Sequence, residues 1–302
     1  MTSTLLAFTW SELAEQITSG LADGAVYASL ALALVIVYRT TRVINFAQGE
    51  MATFATFIAW SLTNHGLSFW SAFPLVLLIA FAGGLALERV AIRPIESAPI
   101  LTIVILTLGL ALFLNGLMKL IWGDYDRQFS GGFSNRTVNV AGAHIAIQYI
   151  GTICVLFAIV VLLTLFFRFT KLGLALRAAA LNPDSSRLTG VRVGWMLGLG
   201  WGLAAAVGAV GGMMIAPLLF LGPNMMHSVL LYAFAAAVLG GLDSLVGAIV
   251  GGLLLGLMTD LLGRYVDYID SALKVPVALA VILGVLLFRP TGLFGRVAAR
   301  RV

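Results

Sequence analysis

Between Ile17 and Tyr38 the chain runs for 22 residues with a single ionisable carboxylate, Asp23, and stretches of the same kind recur along its whole length. A run this long and this apolar is one helix across a bilayer, which needs about 20 residues. Further runs lie near 43–64, 69–90, 98–121, 146–167, 193–216, 228–242, 245–262 and 274–288. The last pair before the final run is broken only by Gly240-Gly241-Leu242-Asp243-Ser244, so hydropathy leaves eight or nine spans open. Composition closes the soluble alternative: 61% of the residues are hydrophobic and 10% charged, against about 25% charged in a soluble domain. None of the runs alternates as a membrane barrel strand does. The expectation is an all-α, polytopic membrane protein forming one domain over 1–302.

The scarce basic residues orient the chain, because Lys and Arg are retained on the cytoplasmic side. They gather at Arg39 and Arg42, at Arg89 and Arg93, along Arg168–Arg192, and at Arg289–Arg301. An even number of spans separates each successive pair of clusters, so a single orientation satisfies all four. The C-terminus is then cytoplasmic and, with nine spans, the N-terminus external. The net charge of +5 is thus a topology signal, and no nucleic-acid partner is expected. Met1–Gln16 has no Lys or Arg for the positive region of a cleavable signal. Leu5–Gln16 reads as a short amphipathic helix in the interface. The outer loop Gly123–Gln148 is too short for a separate domain. Cys154, alone, excludes an internal disulfide.

One segment stands out on the cytoplasmic side, about 168–192. Leu174–Leu181 is rich in Ala and Leu and favours helix. Asn182 and Pro183 then fit the cap and first turn of a second short helix, which Gly190 ends. Composition alone also allows an ordinary basic loop; the start and stop signals favour two ordered helices.

Three stretches carry a family resemblance: GLADGAVYASLALALVIVYRTTRVINFAQGEM at 20–51, LGLALRAAALNPDSSRLTGVRV at 172–193, and AVLGGLDSLVGAIVGGLLLGLM at 237–258 with VLLFRPTGLFGR at 285–296. On them the chain resembles the permease of branched-chain amino acid ABC importers, the H-type subunit. The resemblance implies an ABC importer permease fold in a bacterial-type cytoplasmic (inner) membrane. It also implies a second, related permease subunit, two cytoplasmic ATPase subunits and an external substrate-binding protein. The family's ATPase-coupling element falls on Gly173, Arg177, Ala178, Asn182, Asp184, Arg187, Leu188 and Gly190. Ser186 agrees with the small residue usual there, whereas Gly190-Val191 stands where Gly-Ile is common. Urea, short amides or aromatic acids are the alternative cargo.

No catalytic residue or cofactor is expected. A P-loop needs Gly-x4-Gly-Lys followed by Ser or Thr, but Lys119, Lys171 and Lys274 are followed by Leu120, Leu172 and Val275. ATP hydrolysis therefore belongs to another polypeptide. His65, His144 and His227 fall at external span ends without metal-ligand spacing and read as interfacial polar residues. An ion-coupled carrier would use an ionisable group deep in a span. Most of Asp23, Glu50, Lys119, Asp243 and Asp260 instead fall within a turn or two of predicted boundaries, where hydration makes them ordinary; an ion-coupled carrier stays as the alternative from another class.

Two polar interruptions, Ile44–Thr53 and Gly240–Gly247, correspond loosely in the two halves, and the charge count puts both on the cytoplasmic side. Such paired breaks point to a translocation path, or equally to two tight, capped turns. Asn45, Gln48, Glu50, Asp243 and, in the span Pro99–Ile121, Asn115 are the candidate path residues. For Asn115, a bond to a neighbouring helix competes with that role. Glycines four apart (194, 198, 202; 208, 212; 247, 251; 252, 256) flatten helix faces for close packing.

Overall fold

The computed structural model describes residues 10–295 with the exception of 97, 135, 141, 266–272 and 290. The chain is helical, as its composition requires. In order come α1 Trp10–Thr41, α2 Gln48–Asn64, α3 Phe69–Leu87, α4 Ile100–Trp122, α5 Ile147–Phe169, α6 Lys171–Leu181, α7 Pro183–Leu188, α8 Val193–Leu219, α9 Met226–Gly240, α10 Leu245–Tyr265 and α11 Lys274–Phe288. A helix falls on each of the nine predicted runs. Six are long and apolar enough to cross a membrane unaided: α1, α3 with its continuation to Ile95, α4, α5, α8 and α10. At 17, 15 and 15 residues, α2, α9 and α11 are shorter than a full crossing.

Three details depart from the sequence reading. Residues 10–16 do not form a separate interfacial helix; they are the first turns of α1, which continues to Thr41. Nothing from Trp10 to Thr18 breaks a helix, and Glu12, Leu13, Ala14, Glu15 and Gln16 all favour one. The rest of that stretch, like the basic cluster past Arg289, extends outside the described residues. The second run begins as helix only at Gln48, five residues late. In the outer loop a small antiparallel hairpin pairs β1 Thr137–Val140 with β2 Ala143–Ala146. Gly142, at φ +91°, turns it, and its N–H donates to Asn139 Oδ1 at 2.9 Å.

Helix α1 is the axis. Sixteen of its residues from Gly20 to Val37 are buried on every side of the helix, the mark of a core helix rather than an amphipathic one. It packs on α10, α8, α9 and α5. Gly24 of α1 meets the backbone at Gly252 and Leu253 of α10, and a Cβ on Gly252 or Gly256 would lie 2.3–2.4 Å from α1 backbone atoms. The other spaced glycines also serve contacts within the chain: Gly202 against Phe81, Gly212 against Thr56, and Gly251 against Ala236. By contrast α3, α4 and α5 are largely exposed, with Leu101, Ile105, Leu112, Phe157 and Leu162 forming apolar outer faces. After α3 a π-helical turn, Glu88–Ile92, passes into a 3-10 turn at Arg93–Ile95. Pro94 supplies no N–H there to continue the α-helix.

Candidate functional site

The late start of α2 comes from the six residues before it. Arg42 ends α1 in a left-handed conformation (φ 57°), its N–H donating to Tyr38 O at 2.7 Å. The backbone then returns into the bundle. Asn45 Oδ1 accepts from Ala47 N at 3.0 Å, and Asn45 Nδ2 donates to Gln48 Oε1 at 3.2 Å. Gln48 Nε2 in turn donates to Ala204 O at 3.0 Å and lies against Gly208, both near the midpoint of α8. Asn45 and Gln48 are completely buried. Their amides fix the first turn of α2 at depth.

Glu50 lies three residues into this helix. One carboxylate oxygen meets His227 Nε2 at 2.9 Å, across 177 residues of sequence. His227 belongs to the first turn of α9, so the N-terminal turns of two short helices converge, with Gly49 packed on Met226 and Leu230. Asn115 of α4 joins them: its Nδ2 donates to Pro223 O at 3.0 Å and to Asn224 Oδ1 at 3.1 Å. Lys119, one turn on, pairs with Asp124 at 3.1 Å. Glu50 and Asn115 are thus brought together. His227, read from sequence as an interfacial polar residue, is the member that reading missed. Its one local signal was a polar His-Ser pair opening a short apolar run.

Asp243 is elsewhere. It pairs with Arg42 at 2.7 Å and so joins the two interrupted segments directly, one after α1 and one after α9. The chain following α11 crosses the same place: Leu293 N donates to Leu239 O at 2.8 Å and Phe294 N to Gly240 O at 3.0 Å. These bonds satisfy carbonyls that the end of α9 leaves open.

The segment between α5 and α8 is two capped helices. Thr170 Oγ1 accepts from Gly173 N at 2.9 Å, and Asn182 Oδ1 from Ser185 N at 3.0 Å, with Pro183 as the first residue of α7. Gly190, at φ +82°, ends it. Gly173 rests on Phe166 O, while Leu176 and Ala179 pack with Val193 and Met196. Arg177 points inward, lining a small cavity with Ile36, Phe167, Gly200 and Leu245, its Nε buried without a hydrogen bond; Ala178 is half-buried. Asn182, Asp184, Arg187, Leu188 and Gly190 lie on the exposed side, where Arg187 and Asp184 pair at 3.3 Å. Leu174, Leu181 and Leu188 are 60%, 75% and 90% exposed. Of these leucines, only Leu188 is among the coupling residues read from the sequence.

Among the described residues no three His, Cys, Asp or Glu side chains group as a metal site. The family model described as the permease component of branched-chain amino acid transport systems matches residues 16–288. The high-affinity branched-chain amino acid transport system permease protein BraD of Pseudomonas aeruginosa is 32% identical, over 95% of this chain and 97% of that protein. LivH, of the same description, from Escherichia coli K12 is 30% identical over the same shares. A probable branched-chain amino acid transport permease LivH from Methanocaldococcus jannaschii is 28% identical, over 88% of this chain and 87% of its own length.

Proposed function

The chain belongs to the permease-component family of branched-chain amino acid transport systems, and from that premise we propose that it forms the membrane path of an ATP-driven importer for branched-chain amino acids. It is a multi-pass membrane subunit and not an enzyme; ATP is hydrolysed on separate subunits. In this reading residues 1–302 act as one permease domain in the inner membrane, with the C-terminus cytoplasmic. A second, related permease completes the path, two ATPase subunits dock from the cytoplasm, and an external binding protein delivers the amino acid.

The observation that carries the reading is the α6–α7 element. Two short, capped helices, the first of them packed on α5 and α8, present Leu174, Leu181 and Leu188 outward. Such a rigid unit transmits a partner's motion, which a flexible loop does not. The inward Gly173, Arg177 and Ala178 seat the element, while Asn182, Asp184, Arg187, Leu188 and Gly190 form or shape its docking side. Along the path, Asn45 and Gln48 position α2, Glu50 and Asn115 face the passing cargo, and Asp243 with Arg42 closes the cytoplasmic end.

The test uses the complete transporter in proteoliposomes with its binding protein and L-leucine. The double variant Leu181→Asp/Leu188→Asp should insert normally yet lose leucine uptake, with ATP hydrolysis no longer stimulated by loaded binding protein. Uptake at the wild-type rate would overturn the docking assignment. Uptake by the purified chain alone, driven by an ion gradient, would overturn the importer reading itself.

A further inference from the structure

Five buried side-chain polar atoms among the described residues have no hydrogen-bond partner: Glu50 Oε2, Arg127 Nη1, Gln148 Oε1, Arg177 Nε and Trp201 Nε1. Only Glu50 is a carboxylate. Its side chain is 7% exposed; one oxygen is held by His227, and no donor lies within hydrogen-bond distance of the other, with Asn115 and Lys119 the next groups that face it. The nearest candidate donors are already engaged. Asn115, beside it, directs Nδ2 to Pro223 O and Asn224 Oδ1, and Lys119 is held by Asp124. Leaving a buried acceptor without a donor costs about 1–3 kcal/mol, and ionisable groups at membrane depth mark substrate paths.

The surroundings say what kind of donor fits. His227, Ser228 and Leu231 form an exposed stripe on α9, one helical face three and four residues apart, and Asn224, exposed in the turn that precedes the helix, continues it. The lipid-type faces of α4 and α5 carry leucine, isoleucine and phenylalanine instead. This stripe differs from those faces in bearing Asn, His and Ser. Across it the N-terminal turns of α2 and α9 meet, and a helix N-terminus favours negative charge. The site therefore sets a buried carboxylate oxygen, which a cationic donor would satisfy, beside a helix end, which favours an anion, with Leu231 one turn below.

We propose that Glu50 Oε2, steadied by His227, receives the α-ammonium group of the amino acid in transit, while Asn224 and the first turn of α9 face its carboxylate. Leu231 meets the aliphatic side chain. This rests on the importer reading above and adds the zwitterion as the recognised feature. A single charged contact suits a path, where a ligand must bind favourably enough to enter and weakly enough to leave.

The experiment again uses the complete transporter. Glu50→Gln keeps the shape and removes the charge; leucine uptake should fall roughly tenfold to a hundredfold, with ATP hydrolysis still stimulated by loaded binding protein. A chemical reading accompanies it. In a Cys154→Ala background, Ser228→Cys should react with water-borne methanethiosulfonates, the cationic reagent outpacing the anionic one by about tenfold. L-leucine with binding protein and ATP should slow the reaction. Glu50→Gln should abolish the cation preference, and His227→Gln, which leaves the carboxylate, should keep it. Wild-type uptake by Glu50→Gln, an unreactive Ser228→Cys, or a preference independent of Glu50 would each overturn the proposal. A wild-type transporter that ignores leucine while the cysteine chemistry behaves as stated would overturn the importer reading and leave the cation site standing.

Discussion

Arg42 and Asp243 stand 201 residues apart and meet at 2.7 Å, so one ion pair ties the end of α1 to the end of α9. The contact is half open to solvent, at 55% and 43% side-chain exposure. Pairs of that kind add about 0–1 kcal/mol to stability. Its importance is geometric: it holds together the two places where the membrane helices are interrupted.

Reversing the charges tests this. Arg42→Asp and Asp243→Arg should each slow leucine uptake while moving the thermal midpoint little. The double reversal should recover uptake, with a coupling of about 0.2–1 kcal/mol in a stability cycle. Defects that simply add would show that the two residues act separately.

The seam between α1 and α10 tolerates no added atom. An alanine Cβ at Gly252 would fall 2.4 Å from Ala28 N, and one at Gly256 2.3 Å from Gly24. Gly252→Ala and Gly256→Ala should each cost about 1–3 kcal/mol by overpacking. Gly116→Ala, where nothing lies within 4 Å, should be neutral or stabilising by up to about 1 kcal/mol. Detergent-denaturation midpoints of the three variants measure the difference.

Arg177 and Leu188 should separate stability from coupling. Arg177→Ala empties a lining position between α6 and the bundle and should lower the melting temperature. Leu188→Ala, at a 90% exposed position, should leave stability within about 0.5 kcal/mol yet reduce uptake per ATP hydrolysed. An unchanged ratio would remove Leu188 from the docking face.

The cap of α7 makes a local prediction. Asn182→Ala removes the acceptor for Ser185 N and should cost about 1 kcal/mol. Amide exchange at Ser185 and Ser186 should speed up while α8 is unaffected. Asn182→Asp should restore protection.

What was legible in the sequence was local. A long apolar run in a bilayer must satisfy its backbone internally and so is helical, and a helix falls on each predicted run. Thr170, Asn182, Pro183 and Gly190 act within three or four residues of themselves, and Asn182, Pro183 and Gly190 could be read directly. The meeting of Glu50 with His227 could not be, nor that of Arg42 with Asp243. Those pairs are set by which helices pack together, and nothing at either residue encodes the partner. The return of 42–47 into the bundle also depends on α8, whose Ala204 carbonyl receives Gln48. The hairpin at 137–146 left a faint trace in the alternation Thr137-Val138-Asn139-Val140.

The position of α1 carries a consequence for how the protein is made. Its Gly24 is cut to fit Gly252 and Gly256, which leave the ribosome more than two hundred residues later. At about 5–20 residues per second, the first helix waits roughly ten to fifty seconds for its tightest neighbour. During that interval a segment destined for the centre of the bundle is bordered by lipid or by the insertion machinery. Assembly therefore closes from the end of synthesis back to its beginning, and substitutions along the α1–α10 seam should be detected by membrane quality control only after the whole chain has emerged.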